Sequence, residues 1–151
     1  MPDSRVYRIL EAIQRKVAVD FSLKTSGIDM DGRTILGSVI DPPYVPFGCI
    51  HFIDFTTQHG PTLGRYSMMP RFEIYLYVSA PSLPERMKAT INLCSDVIES
   101  LTADRFLGLG GGVIDDTLCE FTAVDGDKYG LEGIGIGYIE VTTPFQSSTG
   151  I

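Results

Sequence analysis

The residues of this sequence that could carry chemistry are few and widely spaced. Cys49, His51 and His59 are the best candidates for a metal site, because zinc prefers thiolate and imidazole ligands. A zinc site needs three or four converging ligands, usually from close pairs such as Cys-x-x-Cys, and Cys49-x-His51 is the one close pair here. Because strand alternation places both residues on one face of an apolar strand, we interpret them as a structural cysteine and a hydrogen-bonded histidine.

Two glycine-rich segments and one acidic segment resemble ligand-binding loops in composition alone. Segment 107–112 leads into a strand and lacks the helix of a phosphate loop, so it is predicted to be a connector. Segment 133–137 alternates glycine with isoleucine, and a glycine face on a strand permits close approach of a helix or of another subunit. Asp29 and Asp31 are out of register with a calcium loop. We therefore expect no catalytic, metal or cofactor-binding site, no enzyme activity, and no dependence on metal or nucleotide.

The elements that position these residues begin with two amphipathic helices. Asp3 or Ser4 can cap the first helix, predicted over 4–17. The second helix is predicted over 83–102, because Ser82-Leu83-Pro84-Glu85 forms a capping box with proline in the first turn. Apolar residues of the second helix recur at helical spacing: Met87, Ile91, Cys94, Ile98 and Leu101.

Strands are predicted from alternation and apolar runs. Four segments qualify: 49–55, 71–78, 117–124 and 129–142. A tight glycine turn at Asp125-Gly126-Asp127 is expected to join the last two strands, and residues 18–23 could add a fifth. Segment 56–70 lacks periodicity and is predicted to be a long hairpin loop. Loops of this length are usually functional or disordered.

These elements predict one domain over residues 1–151 of the α/β class, α+β type. The expected sheet has four to five mainly antiparallel strands, in the order α-(β)-β-β-α-β-β. Two helices that each have one apolar face are most simply packed on the same face of that sheet. The other sheet face would then be left partly for water or for partners.

Charge and composition exclude several function classes. The net charge is −7, from nineteen acidic against twelve basic residues. This charge disfavours binding to the phosphate backbone of nucleic acids, but it suits the inner surface of a channel through which DNA passes. Three widely spaced cysteines predict free thiols and a reducing compartment. No uncharged run reaches the roughly 18 residues of a membrane helix, and the first residues lack a signal-peptide pattern. We expect a protein made and kept in the cytosol, or in something assembled there.

The order of these elements resembles the tail terminator (tail completion) proteins of long-tailed bacteriophages over nearly all of the chain. The segments that carry the resemblance are the opening helix Val6–Val17, the proline-rich Pro42–Phe47, the strand Cys49–Asp54 with its long polar hairpin, the strand Arg71–Val78, the second helix, and the hairpin that ends with Ile139–Thr142.

The resemblance implies a structural virion protein that forms a ring, usually of six copies. Such a ring caps the tail tube, ends its growth and joins the tail to the head connector. The implied partners are further copies of the chain, the tail tube protein and the head–tail connector or stopper protein. DNA would pass through without specific binding, and no membrane partner is implied. The implied location is the tail or neck of a virion assembled in the host cytoplasm.

Two alternatives remain open on the sequence. The first is a head–tail connector or stopper (neck) protein of the same assembly. The second is a small cytosolic enzyme or ligand-binding domain with a dispersed site. For the ring, residues in or beside the long hairpin loop are candidates for the assembly interface: Gln58, His59, Leu63, Arg65 and Tyr66. The densest acidic residues are candidates for the ring lumen: Asp115, Asp116, Asp125 and Asp127.

Overall fold

The computed structural model describes residues 3–18, 26–37, 42–59, 64–110 and 112–147. In these residues two α-helices and six β-strands follow in chain order: α1 (Arg5–Ala18), β1 (Thr34–Leu36), β2 (Phe47–His59), β3 (Tyr66–Ser79), α2 (Leu83–Thr102), β4 (Leu118–Asp125), β5 (Ile134–Thr142) and β6 (Phe145–Ser147). The class is α+β, as predicted.

The strands of the described residues form one sheet in the order β1-β2-β3-β5-β4, with β6 paired to β3 beyond the end of β5. All neighbours are antiparallel except β1, which runs parallel to β2. Both short strands, β1 and β6, were missed from the sequence, because three residues are too few to show alternation. Ala18 belongs to α1, and the rest of the strand suggested over 18–23 lies outside the described residues.

The loop predicted over 56–70 is much shorter than expected. Strand β2 continues to His59 and β3 begins at Tyr66, and these two residues are still paired across the hairpin. Pairing continues from them toward the sheet through Thr56 and Met69. The sequence shows no clear alternation here because Thr57 shares a face of β2 with Phe55, and Met69 shares a face of β3 with Arg71. We call the paired part beyond the bulge at Phe52–Asp54 the hairpin arm, comprising residues 54–59 and 66–71.

Helix α2 has the predicted bounds, and its start has the predicted cause. The Ser82 hydroxyl accepts a hydrogen bond from the Glu85 amide at 3.3 Å, and Pro84 lies in the first turn. The buried face differs from the prediction, because Met87 and Ile91 are exposed. The residues that α2 buries are Arg86, Thr90, Leu93, Cys94, Asp96, Val97 and Leu101.

Both helices pack on the same face of the sheet, as expected. One core contains Ile13 of α1 and Val97 of α2 together with Phe72 and Ile74 of β3 and Ile139 of β5. We call this side of the sheet the helix face and the other side the open face. On the open face lies a smaller buried cluster formed by Phe47, Cys49, Tyr77 and Ile136.

The glycines of β5 explain how closely α2 approaches the sheet. A Cβ atom on Gly137 would lie 2.4 Å from Sγ of Cys94, and one on Gly135 would lie 2.2 Å from Oγ1 of Thr90. The interpretation of segment 133–137 as a face for close helix packing is therefore confirmed for Gly135 and Gly137. Gly133 lies before the strand, with a φ of 75° that favours glycine.

Candidate assembly surfaces

The hairpin arm contains or borders the five residues proposed for the assembly interface. Gln58 and His59 end β2, and their side chains lie outside the described residues, as does Leu63 altogether. Arg65 is exposed at the start of the returning strand. Tyr66 is partly buried against the main core. The structure therefore gives Tyr66 a packing role, and the interface role of all five residues stays a prediction.

The two edges of the hairpin arm differ. The β3 edge is covered, because β6 pairs with Tyr66–Met68. The β2 edge is covered by β1 only as far as Ile50, and no strand of the described residues pairs with it beyond that point. Phe52 and Phe55 lie on this uncovered half of β2, each 38% exposed, with ring centroids 6.3 Å apart.

The open face of the sheet carries a charged cluster at the base of the arm. Arg71 forms a bidentate ion pair with Asp54, with Nε–Oδ1 and NH2–Oδ2 distances of 2.8 Å. Its NH1 atom donates a third hydrogen bond to Oε1 of Glu140 at 3.1 Å. The hydrogen bond from Arg71 lowers the pKa of Asp54 against the effect of its partial burial. The cluster ties three strands together and favours the ionised form of Asp54.

Next to this cluster, His51 and Glu73 form the arrangement that most resembles a catalytic pair. Nε2 of His51 lies 2.6 Å from Oε2 of Glu73, whose other oxygen accepts the Tyr138 hydroxyl at 2.8 Å. The His51 ring is stacked on Tyr75, with centroids 5.9 Å apart. Nδ1 of His51 is buried and has no hydrogen-bond partner among the residues that the structure describes. Within the described residues no nucleophile is bonded to His51, and a base without one is half of a catalytic arrangement.

Thiol chemistry is disfavoured by burial. The three cysteines form no disulfide. Burial raises the pKa of Cys94 to about 12 and that of Cys119 to about 11, so both thiols are protonated at neutral pH. In the described part of the chain, no three His, Cys, Asp or Glu side chains are grouped so that they could hold a metal ion.

The four candidate lumen residues lie in two different settings. Asp115 is exposed and Asp116 half-exposed before β4, where the Asp116 carboxylate accepts the Thr117 amide. Asp125 and Asp127 instead bind Arg86 of α2, at 3.2 and 3.3 Å. Burial would raise the pKa of Asp125, but the hydrogen bond and charge of Arg86 outweigh this and hold it below the usual value.

The link between β4 and β5 differs from the predicted tight turn. A short 3-10 helix, Gly126–Tyr129, follows β4, and β5 starts only at Ile134. This longer link lets Asp127 reach Arg86 and lets its other oxygen accept the Gly133 amide at 3.0 Å. Arg86 itself was missed by sequence reasoning, since its partners lie 39 and 41 residues away.

The edge of the sheet farthest from the hairpin arm is also apolar. Strand β4 pairs with β5 on one side and, among the described strands, with none on the other. On the side of the sheet covered by α2, this edge exposes four large apolar side chains by 39–52%: Leu83, Met87, Ile91 and Phe121. We call these four residues the edge strip. Leu83 and Met87 line a shallow cleft together with Ala123 of β4.

The connector after α2 is ordered by its own polar contacts. The Asp104 carboxylate accepts the amides of Phe106 and Gly108, both at 2.9 Å, and these two bonds lower the pKa of Asp104. Leu107 is buried despite a positive φ of 53°. No helix follows in the described part of 107–112, so the interpretation of this segment as a connector is confirmed.

Comparison with known proteins gives a likeness of fold. A solved chain from the virion of a native gene transfer agent particle matches with a TM-score of 0.51 at 13% sequence identity. The match covers 94% of this chain and 92% of the other chain. No family model and no curated protein matches the sequence. None of the described helices is long and apolar enough to cross a bilayer.

Proposed function

We propose that this chain is a structural virion protein that forms a ring on the tail tube of a tailed phage or phage-like particle. The ring ends tube growth and joins the tail to the head connector. The observation that carries this proposal is the likeness of fold, over 94% of the chain, to a chain from a gene transfer agent virion. The resemblance of the sequence to tail terminators supports the same role.

The surfaces of the molecule are consistent with a ring. A closed ring needs a heterologous contact, in which two different patches of each copy meet. The sheet offers two different edges that no described strand covers, one along the outer half of β2 and one along β4. The partners of the chain in this proposed role are further copies of itself, usually six in all, together with the tail tube protein and the connector or stopper protein.

A non-enzymatic role is part of the proposal. The two cysteine thiols with raised pKa values are poor nucleophiles, and the contacts of His51 within the described residues include no nucleophile. Neither observation favours the small enzyme or ligand-binding domain. The head–tail connector or stopper remains the nearest alternative, since a likeness of fold to a virion chain fits that role as well.

Electron microscopy of tails made without heads tests the proposed location. The tagged chain should label one end of finished tails that carry no head. A label that stays with heads and is missing from headless tails would support the connector or stopper instead. A chain found on neither particle, and monomeric or dimeric by native mass, would favour the enzyme or ligand-binding alternative.

A further inference from the structure

The edge strip and the two phenylalanines of the outer half of β2, Phe52 and Phe55, lie on the same face of the sheet. Phe52 is paired with Phe72, which is buried in the core under the helices. Phe121 of the edge strip is paired with Ile139, which belongs to the same core. Since side chains of paired residues point to one side of a sheet, Phe52 and Phe121 both lie on the helix face.

Phe55 also lies on the helix face. The bulge between Phe52 and Asp54 shifts the register, so that Phe55 is opposite Pro70, two residues before Phe72 on β3. The outer edge of β2 therefore carries two adjacent phenyl rings on the helix face. Asp54, between them, is turned to the open face and bound to Arg71.

The edge strip runs parallel to β4. Met87 and Ile91 are one helical turn apart, about 6 Å by helix geometry. Ala123 and Phe121 are two strand residues apart, about 7 Å by strand geometry. Thr90 lies at Gly135 and Cys94 at Gly137, and these glycines pair with Asp125 and Ala123, so the course of α2 from Met87 to Ile91 follows β4 toward Phe121.

We propose that the outer half of β2 in one copy lies along β4 of the next copy, with Phe52 and Phe55 packed against the edge strip. The inference rests on the proposed ring and names its contact. The partner is a second copy of this chain, because one chain carries both surfaces of the contact: the outer half of β2 with its phenylalanines, and β4 with the edge strip. Each of the two surfaces includes a strand edge that is unpaired within the described part of the chain, and the amides and carbonyls of such an edge can bind another strand.

The two surfaces fit each other because both lie on the helix face. When two sheet edges join with their helix faces on one side, the phenyl rings of one copy become neighbours of the edge strip of the other. The apolar layer under α2 then continues across the boundary. Two halves that differ make the contact heterologous, so every copy binds two neighbours.

Two variants each disable one of the two surfaces of the proposed contact. Met87→Glu/Ile91→Glu places charges in the edge strip on exposed helix positions, and Phe55→Glu places one on the arm. Tyr7→Glu, at a similarly exposed aromatic residue of α1, is the matched control. Where a Glu variant melts far below the native protein, Met87→Gln/Ile91→Gln or Phe55→Thr replaces it.

Native mass spectrometry over a range of protein concentrations measures the contact. The native chain and Tyr7→Glu should form rings, and each half-disabled variant alone should be a folded monomer. An equimolar mixture of the two variants should give a one-to-one dimer and nothing larger, because one intact edge strip meets one intact arm.

Three results would overturn the proposed contact. They are rings from either variant alone, homodimers of one variant, which would mean an isologous contact, and a mixture that stays monomeric. If the native chain is monomeric at every concentration, the proposed contact does not form between copies in solution, and the proposal is overturned as well. The labelling of headless tails decides the proposed function separately, so the two can fail independently.

Discussion

At the scale of single residues, Gly137 and Gly135 set the distance between α2 and β5. Gly137→Ala would bring a methyl group to 2.4 Å from Sγ of Cys94, so the helix or the strand must shift. Overpacking of this kind costs about 1–3 kcal/mol of unfolding free energy. We expect that loss in urea unfolding of Gly137→Ala.

Two further variants test the cause of that loss. Gly112→Ala is the control, because a Cβ there meets nothing within 4 Å, and we expect no loss of stability. In Gly137→Ala/Cys94→Ala the space of the removed sulfur is available to the new methyl group. The double variant should therefore lose less stability than the sum of the two single losses. Additive losses would contradict a direct contact between these positions.

The ion pair between Arg86 and Asp125 predicts how stability depends on pH. The pKa of Asp125 is lowered from 3.8 in the folded state, so its ionised form favours folding. This stabilisation is fully present above the pKa that Asp125 has in the unfolded chain. It is lost as the pH falls through the lower pKa that Asp125 has in the folded protein. Asp125→Asn should therefore be clearly less stable than the native chain at pH 7, with the difference shrinking below about pH 4. Urea unfolding of both proteins from pH 7 to pH 2.5 measures it, and a constant difference would contradict the prediction.

At the scale of elements, the paired strands of the hairpin arm contribute to folding, whereas its tip is proposed to contribute to assembly. A deletion of residues 58–66 would remove Tyr66, which pairs with Ser147 of β6 and packs against the core. Replacing only residues 60–65 with Asn-Gly keeps the last pair, His59 with Tyr66, and supplies a sequence suited to a two-residue hairpin. This shorter change tests the tip without removing the β6 pairing.

We expect the Asn-Gly variant to fold and to form a weaker ring. Its circular dichroism spectrum should match that of the native chain, and its ring should dissociate at a higher protein concentration. The reason is that Leu63 and Arg65, two of the proposed interface residues, are removed while β2 keeps Phe52 and Phe55. An unchanged ring would exclude the tip from the interface and leave the contact to the two phenylalanines.

At the scale of the whole molecule, charge predicts no measurable affinity for duplex DNA at physiological salt. The net charge is −7, and proteins that bind DNA do so largely by neutralising phosphates with Lys and Arg. A conduit needs weak repulsion instead. Fluorescence anisotropy with labelled duplex DNA over a salt series checks this. Salt-sensitive, submicromolar binding would favour a role in handling nucleic acid.

The proposed lumen acids can be tested in assembled particles. Asp115→Lys/Asp116→Lys should leave the fold intact and slow DNA delivery, since neither carboxylate is bound to a basic side chain among the contacts described. Asp125 is a poor choice for charge reversal, because a lysine there would face the buried Arg86. Unchanged delivery by the Asp115 and Asp116 variant would exclude these two from the lumen.

The sequence by itself determined the features that depend on neighbours a few residues apart. The bounds of α2 follow from its capping box and its apolar spacing, and the glycine face of β5 follows from strict alternation. These signals are local, since helix and strand geometry relate residues two to four positions apart. The class of the fold followed from the order of such elements.

Only the tertiary structure decided which distant residues meet. The pairing of Arg86 with Asp125, of His51 with Glu73 and the exposure of Met87 all depend on strand register and on how α2 rotates over β5. Apolar spacing alone placed Met87 on the buried face, but Gly135 and Gly137 draw Thr90 and Cys94 to the sheet and turn Met87 outward. Contacts of this kind are fixed by packing between elements, which no local pattern in the sequence contains.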